Sequence, residues 1–244
     1  MSASAPKFHH IPSGGGFNLN CTSRSPVDAA QIRTRLARFY DTAAPVYGFW
    51  SGLFESRAGS RAYEAAHLVG NESVLEIAVG GGEFYSMLAK NPGLKRCLGV
   101  DFSARMLHRA RKRLATNGIR CDLCRADAFS LPFDRAVFDI LFNLYMLDLL
   151  LEEDVPRVLQ EFARVLRPGG RLIVLSMTEQ AHLVNKAWMV LYHCSPLVVG
   201  GCRPLPVAEM LASNRWGIDL RERITQCGFR SELIVAQFRE EGRR

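Results

Sequence analysis

From about residue 70 onward the apolar positions alternate between two spacings. Short apolar runs at Ser73–Val79, Cys97–Val100, Cys121–Ala126, Phe138–Tyr145 and Arg171–Met177 predict five strands. Helix-period segments separate them: Glu83–Lys90, Ala104 to about Asn117, and Glu152–Leu166. Asn117-Gly118 ends the second of these as a C-terminal cap. The third begins with acidic residues, where the helix dipole favours them, and Arg167-Pro168-Gly169-Gly170 ends it as a turn. Strands that alternate with helices predict a doubly wound α/β fold, a mostly parallel sheet covered on both faces. Ile218–Gln226 and Glu232–Phe238, on either side of Cys227-Gly228, read as an antiparallel C-terminal hairpin that brings the sheet to seven strands.

The flanking segments follow other patterns. Residues 1–26 are rich in Ser, Gly, Pro and Asn and bury too little apolar surface to offset the entropy of ordering, so a disordered tail is expected there. Residues 27–66 read as N-terminal helices, with Ile32, Leu36, Phe39 and Tyr40 on one face and arginines on the other. Residues 181–215 read as a helical insert: Ala181–Cys194 carries Trp188, Leu191 and Tyr192 on its apolar side, and Leu205–Arg215 forms a shorter helix. One domain, 27–244, accounts for the remainder.

Composition narrows the function classes. An apolar fraction of 48% and a charged fraction of 23% suit a globular protein. The longest apolar stretches, Ile140–Leu151 and Ala187–Val199, are interrupted by Asn143, Asp148, His193 and Pro196, short of the ~20 residues that a membrane span needs. Residues 1–26 hold no apolar core of the kind a secretory signal has, and a cytoplasmic location is expected. Seven scattered cysteines suit a reducing compartment. The lone Cys121-x-x-Cys124 lies in a strand-like run with no second pair to complete a zinc site, so no metal is expected. The net charge is +7, with arginines crowded at Arg105–Arg113. A solvated helix surface accounts for these, and no aromatic-rich basic groove points to nucleic acid.

The chemistry gathers at the strand ends. The first strand runs into Glu76-Ile77-Ala78-Val79-Gly80-Gly81-Gly82, where glycines let backbone approach a ligand closely. A dinucleotide fingerprint would need a glycine at position 85, which is Tyr85. Asp101 ends the second strand, 19 residues beyond Gly82, where a carboxylate can accept from both hydroxyls of a ribose. Ser103 is free to cap the helix that follows. Asp127 ends the third strand at the same edge. In open α/β sheets that edge holds the ligand. So many carboxylates repel a dinucleotide's phosphates and suit a ligand with sulfonium and ammonium charges.

LEIAVGGGEF, GVDFSARML, RADAFSLPF and RVLRPGGRL together resemble the successive motifs of class I S-adenosylmethionine-dependent methyltransferases, nearest to their ubiquinone/menaquinone C-methyltransferase branch. YDTAAPVY at 40–47 is similar to the aromatic lead-in of that branch. The resemblance runs from about Tyr40 to Phe238 and implies a Rossmann-like methyltransferase fold with S-adenosylmethionine as cofactor. It places Gly80, Gly81 and Gly82 beneath the methionine moiety, with Glu76 supporting that loop or the cofactor ammonium. Asp101 would hold the ribose, with Phe102 and Met106 near the adenine. Asp127 would accept from the adenine amine, and the Ala128 N–H would meet a ring nitrogen. Tyr40, Asn143 and Leu144 complete the implied cofactor set. Ala78 stands where the family usually has its first glycine, and some of the quinone branch tolerates it.

Methyl transfer needs alignment and exclusion of water, and a base only for a protonated acceptor. Tyr40, Tyr47, Tyr145, Asp148, His193 and Arg203 are the candidates near the acceptor, and Trp188 and Tyr192 share a helix face above it; no catalytic base is assigned. The apolar stretch 181–206 and the basic amphipathic segment 31–40 suggest a small-molecule or lipid-like acceptor, with peripheral contact to a membrane surface. Two other functions compete: a cofactor-binding module without catalysis, and an NAD-dependent oxidoreductase, which Tyr85 opposes.

Overall fold

A computed structural model describes residues 56–178, 190, 203–226 and 229–239. All lie in the unit Leu36–Arg244. The expected tail at 1–26, most of the helical region 27–66 and most of the insert 181–215 fall outside the described residues, as do Tyr40, Tyr47, Trp188, Tyr192 and His193.

Helix α1 (Ser56–Ala65) is followed by strand β1 (Ser73–Ile77), α2 (Glu83–Ala89), β2 (Arg96–Asp101), α3 (Ala104–Thr116), β3 (Asp122–Arg125) and β4 (Phe138–Leu144). After two single-turn 3₁₀ segments come α4 (Val155–Val165), β5 (Leu166–Met177), α5 (Val207–Ser213), β6 (Trp216–Gln226) and β7 (Phe229–Phe238). The seven strands form one sheet in the order β3-β2-β1-β4-β5-β7-β6. β1 to β5 pair in parallel, and β7 pairs antiparallel with both β5 and β6. The doubly wound α/β reading therefore holds, hairpin included.

Both sheet faces are packed, and the strands show it residue by residue. Leu75 and Ile77, Leu141, Leu172 and Val174, and Ile234 and Ala236 enter one core with α4 and α5. Their neighbours Val74, Ile140 and Phe142, Ile173 and Leu175, and Leu233 and Val235 enter the other, against α1 and α2. The period of two that defines a pleated strand divides the apolar runs between two cores. No helix among the described residues is long and apolar enough to cross a membrane.

Several ends shift by one to three residues, and two differences change how an element is read. α4 starts at Val155, and Glu152–Asp154 form a 3₁₀ turn ahead of it, because Pro156 fits only the first turn of a helix. The Pro-Gly-Gly segment does not separate helix from strand. β5 already begins at Leu166, which pairs with Phe138, and the ladder resumes at Arg171 opposite Ile140. Arg167–Gly170 is thus a bulge inside β5, made possible by Gly169 at φ +77°. The α3 boundaries agree with expectation: the Ser103 hydroxyl accepts from Met106 N at 3.1 Å, and Gly118 follows at φ +66°.

Candidate functional site

The candidate residues sit where β1, β2, β3 and β4 end. The register aligns Ile77 with Val100 on one side and with Asn143 on the other, so these strands finish at one level. The chain leaves β1 through Ala78 at φ +64°, Gly80 at +55° and Gly82 at +83°. Ala78 is thus held in a left-handed conformation that costs an alanine roughly 1–2 kcal/mol and a glycine almost nothing. Two hydrogen bonds to the Val100 carbonyl, from Ala78 N at 2.8 Å and Val79 N at 3.1 Å, hold the turn against β2.

Asp101 braces the turn. It is 9% exposed, and its Oδ2 accepts from Gly80 N at 2.8 Å while Oδ1 accepts from Ser103 N at 2.8 Å. One carboxylate therefore ties the glycine turn to the start of α3, and its orientation is set before any ligand arrives. Arg113 on α3 adds a second tie: its Nε donates to the Gly81 carbonyl at 3.0 Å, and its other end pairs with Glu83. Sequence reading placed Arg113 on a solvated face. Only the fold brings α3 over the turn, so no local signal could have revealed the contact. Gly82 also touches α3, since a Cβ there would lie 3.0 Å from the Ala110 Cβ.

Tyr85 is fully buried, and its hydroxyl donates to the Cys97 carbonyl at 2.9 Å and accepts from Asp122 N at 3.1 Å. The close approach that a dinucleotide fold obtains from a glycine in the helix is supplied here by Gly99 in β2. A Cβ at Gly99 would lie 2.9 Å from the Tyr85 ring, 2.6 Å from Val79 and 2.5 Å from Leu123. The Cys97 thiol beside this ring is pushed up to about 12, by burial first and then by the charge of Glu76.

Glu76 is 2% exposed. Burial, reinforced by Glu83 and Asp101, raises its carboxyl well above the usual carboxylate range. Its Oε2 has no hydrogen-bond partner among the described residues, nor does Asn143 Oδ1, although Asn143 Nδ2 donates to the Ile77 carbonyl at 3.3 Å. Two buried oxygens without partners among the described residues, at the carboxyl ends of β1 and β4, fit a cationic donor such as an ammonium, whose charge favours the ionised, accepting form of Glu76. The other cofactor candidates lie at the same strand ends. Asp127 Oδ1 accepts from Phe129 N at 3.0 Å. Ala128 and Phe102 are half-buried, Met106 is buried and Leu144 half-buried.

The acceptor-side candidates separate. Tyr145 is 3% exposed at φ +56°, with its hydroxyl 2.7 Å from Ser231 Oγ, linking β4 to β7. Asp148 is buried, and its carboxylate accepts from Met177 N at 2.7 Å. Arg203 donates to the Leu150 carbonyl at 2.8 Å. Asp148 and Arg203 thus join the segment after β4 to the end of β5 and to the approach to α5.

A family model described as "Methyltransferase domain" matches residues 74–170. A ubiquinone/menaquinone biosynthesis C-methyltransferase from Desulfotalea psychrophila is 37% identical over 46% of this chain and 44% of its own length. Another from Syntrophotalea carbinolica is 31% identical over 72% of this chain and 71% of its own length. The chain spans about half the length of the first such relatives it matches. Among solved structures, a geranyl diphosphate methyltransferase in complex with GPP and sinefungin superposes with a TM-score of 0.66 at 17% identity, covering 85% of this chain and 99% of that one. An S-adenosylmethionine-dependent methyltransferase from Methanosarcina mazei gives 0.62 at 20% identity, covering 73% and 98%. At such identities these two attest to the fold alone.

Proposed function

Since the chain belongs to the class I S-adenosylmethionine-dependent methyltransferase family, close to the ubiquinone/menaquinone C-methyltransferases, we propose that it methylates a small hydrophobic acceptor. The observation that carries this reading is the Asp101 brace. A buried carboxylate that already fixes the glycine turn stands ready for the two hydroxyls of a ribose. Glu76 and Asn143 accept from the methionine ammonium, Asp127 accepts from the adenine amine, and the Ala128 N–H donates to the ring. Phe102 and Met106 flank the adenine, and Gly80–Gly82 let backbone approach the methionine chain. Bound S-adenosylmethionine supplies an electrophilic methyl on a sulfonium, so the protein has only to hold the acceptor in line and keep water out.

For the acceptor, the relatives named as C-methyltransferases of quinone biosynthesis and as demethylmenaquinone methyltransferases support a quinone-type ring. The apolar stretch 181–206, with Trp188, Tyr192 and His193, and Tyr47 further upstream complete the acceptor side of this reading. Peripheral contact with a membrane through segment 31–40 belongs to it too. Calorimetry should show S-adenosylhomocysteine binding saturably and NAD not at all. Incubation with methyl-labelled cofactor should then label prenylated quinone precursors. Saturable NAD binding without a response to the adenosyl compounds overturns the proposal.

A further inference from the structure

A second cleft, of about 420 Å³, lies along α4, between that helix, the β3–β4 connection and the end of β7. None of its lining residues belongs to the strand-end site. Its volume falls in the range of roughly 300–1,000 Å³ that small-ligand sites occupy. Arg135, Arg157 and Arg164 line it with a single carboxylate, Glu161, and with the rings of Phe129 and Phe238.

The three arginines are not equivalent. Arg164 is fully used: it meets both oxygens of Glu161 at 2.7 Å and donates to the Leu131 and Phe133 carbonyls. Glu161 is used equally, since its Oε1 also accepts from Leu131 N at 2.6 Å. This pair is the fixed floor of the cleft and cancels its own charge. Arg157 lies over the Phe129 ring, 5.6 Å from its centre, and makes no ion pair within 4 Å among the described residues, though its charge helps to hold the Glu161 carboxyl low. The Arg135 side chain makes no hydrogen bond or ion pair among the described residues. Two guanidinium groups without a direct ion pair among the described residues therefore border a concave, partly aromatic space. Basic character continues at the β7 end, where Arg215 lies 5.2 Å from the centre of the Phe238 ring.

Guanidinium groups match phosphate by paired N–H donors, and packing over a ring limits the freedom of the Arg157 side chain. The phenyl walls favour a planar, apolar body beside the anion. We infer that the cleft binds a small phosphorylated ligand with a planar body, of the nucleotide class, with its phosphates on Arg135 and Arg157 and its planar body against the wall to which Phe129 and Phe238 contribute.

The test uses the full chain and uridine diphosphate, which lacks adenine, with S-adenosylhomocysteine at saturation to occupy the strand-end site. Uridine diphosphate should bind saturably by calorimetry, and pyrophosphate more weakly, because it has no ring. Each of Arg135→Gln and Arg157→Gln should weaken binding about tenfold, the loss of one charge-assisted contact, and the pair more steeply. Lys112→Gln, on the exposed face of α3, should leave binding unchanged. Neither arginine variant touches Asp101 or Asp127, so their cofactor affinity reports separately on the proposed methyltransferase site. No saturable binding up to millimolar uridine diphosphate, or equal binding by the double arginine variant, overturns the inference. So does a loss in Lys112→Gln as large as in the arginine variants, which would mean diffuse attraction to surface charge.

Discussion

Replacing Asp101 with Asn separates the structural duty of this residue from its proposed ligand duty. The carboxylate takes Gly80 N on one oxygen and Ser103 N on the other. Asn keeps one acceptor oxygen and presents an NH₂ where the second acceptor was, so at least one charge-assisted bond is lost and a donor faces a donor. Such a bond is worth about 1.5–3 kcal/mol. At 9% exposure, water has little room to replace it. In a chain of this size each kcal/mol moves the melting temperature by about 2–4 °C, so a fall of about 3–12 °C is expected. Losing the same charge beneath a ribose should weaken S-adenosylhomocysteine binding about 10–100-fold, read by calorimetry below the melting transition. Unchanged affinity in the folded variant removes Asp101 from the proposed site. Unchanged melting temperature means that the brace contributes no stability, and the argument from orientation fails with it.

Glu76→Gln should change how stability depends on pH. The folded-state pKa of Glu76 is raised, so above the ordinary glutamate range the unfolded chain has released a proton that the folded protein still holds, and stability falls as pH rises toward the folded value. Gln removes that dependence, so the melting temperature of the variant relative to the parent should climb between pH 4 and pH 8; a constant difference contradicts the buried-acid account. Gly99→Ala inserts a methyl within 3 Å of Tyr85, Val79 and Leu123, an overpacking cost of about 1–3 kcal/mol. Val79→Ala in the same chain should recover part of the loss, and strictly additive effects in thermal melts would show that the methyl goes elsewhere.

What was legible in the sequence was what is local. The unbroken apolar run Leu172-Ile173-Val174-Leu175 marks a strand buried on both faces, and the pleat then divides its residues between the two cores. The Ser103 cap and the Asn117-Gly118 stop depend on neighbours within four positions. What escaped depends on partners distant in the chain. The Pro168-Gly169-Gly170 turn has the same composition whether it ends a helix or bulges a strand, and pairing of Leu166 with Phe138 decides it. Arg113 reaches Gly81 across 32 positions, and nothing in its own helix signals that. Asp101, Asp127 and the glycine turn were legible as a group because the α/β topology brings successive strand ends to one edge. Tyr145 shows the limit of that logic: its place after β4 was right, but its hydroxyl is engaged by Ser231 from β7.

The packing of Tyr85 against Gly99 also bears on how such folds can diverge. A dinucleotide-type loop places its small residue in the helix, whereas here the small residue is in the strand and the large one in the helix. Conversion needs both positions to change, and either order is obstructed. Tyr85→Gly first would empty a fully buried aromatic site, a cost of about 3–5 kcal/mol on the scale of large-to-small core changes, and would release the backbone of Cys97 and Asp122 from their shared hydroxyl. Filling Gly99 first would drive a side chain into Tyr85, Val79 and Leu123. A lineage crossing between the two loop types would have to carry an intermediate weakened by a large share of a typical domain's 5–15 kcal/mol of stability.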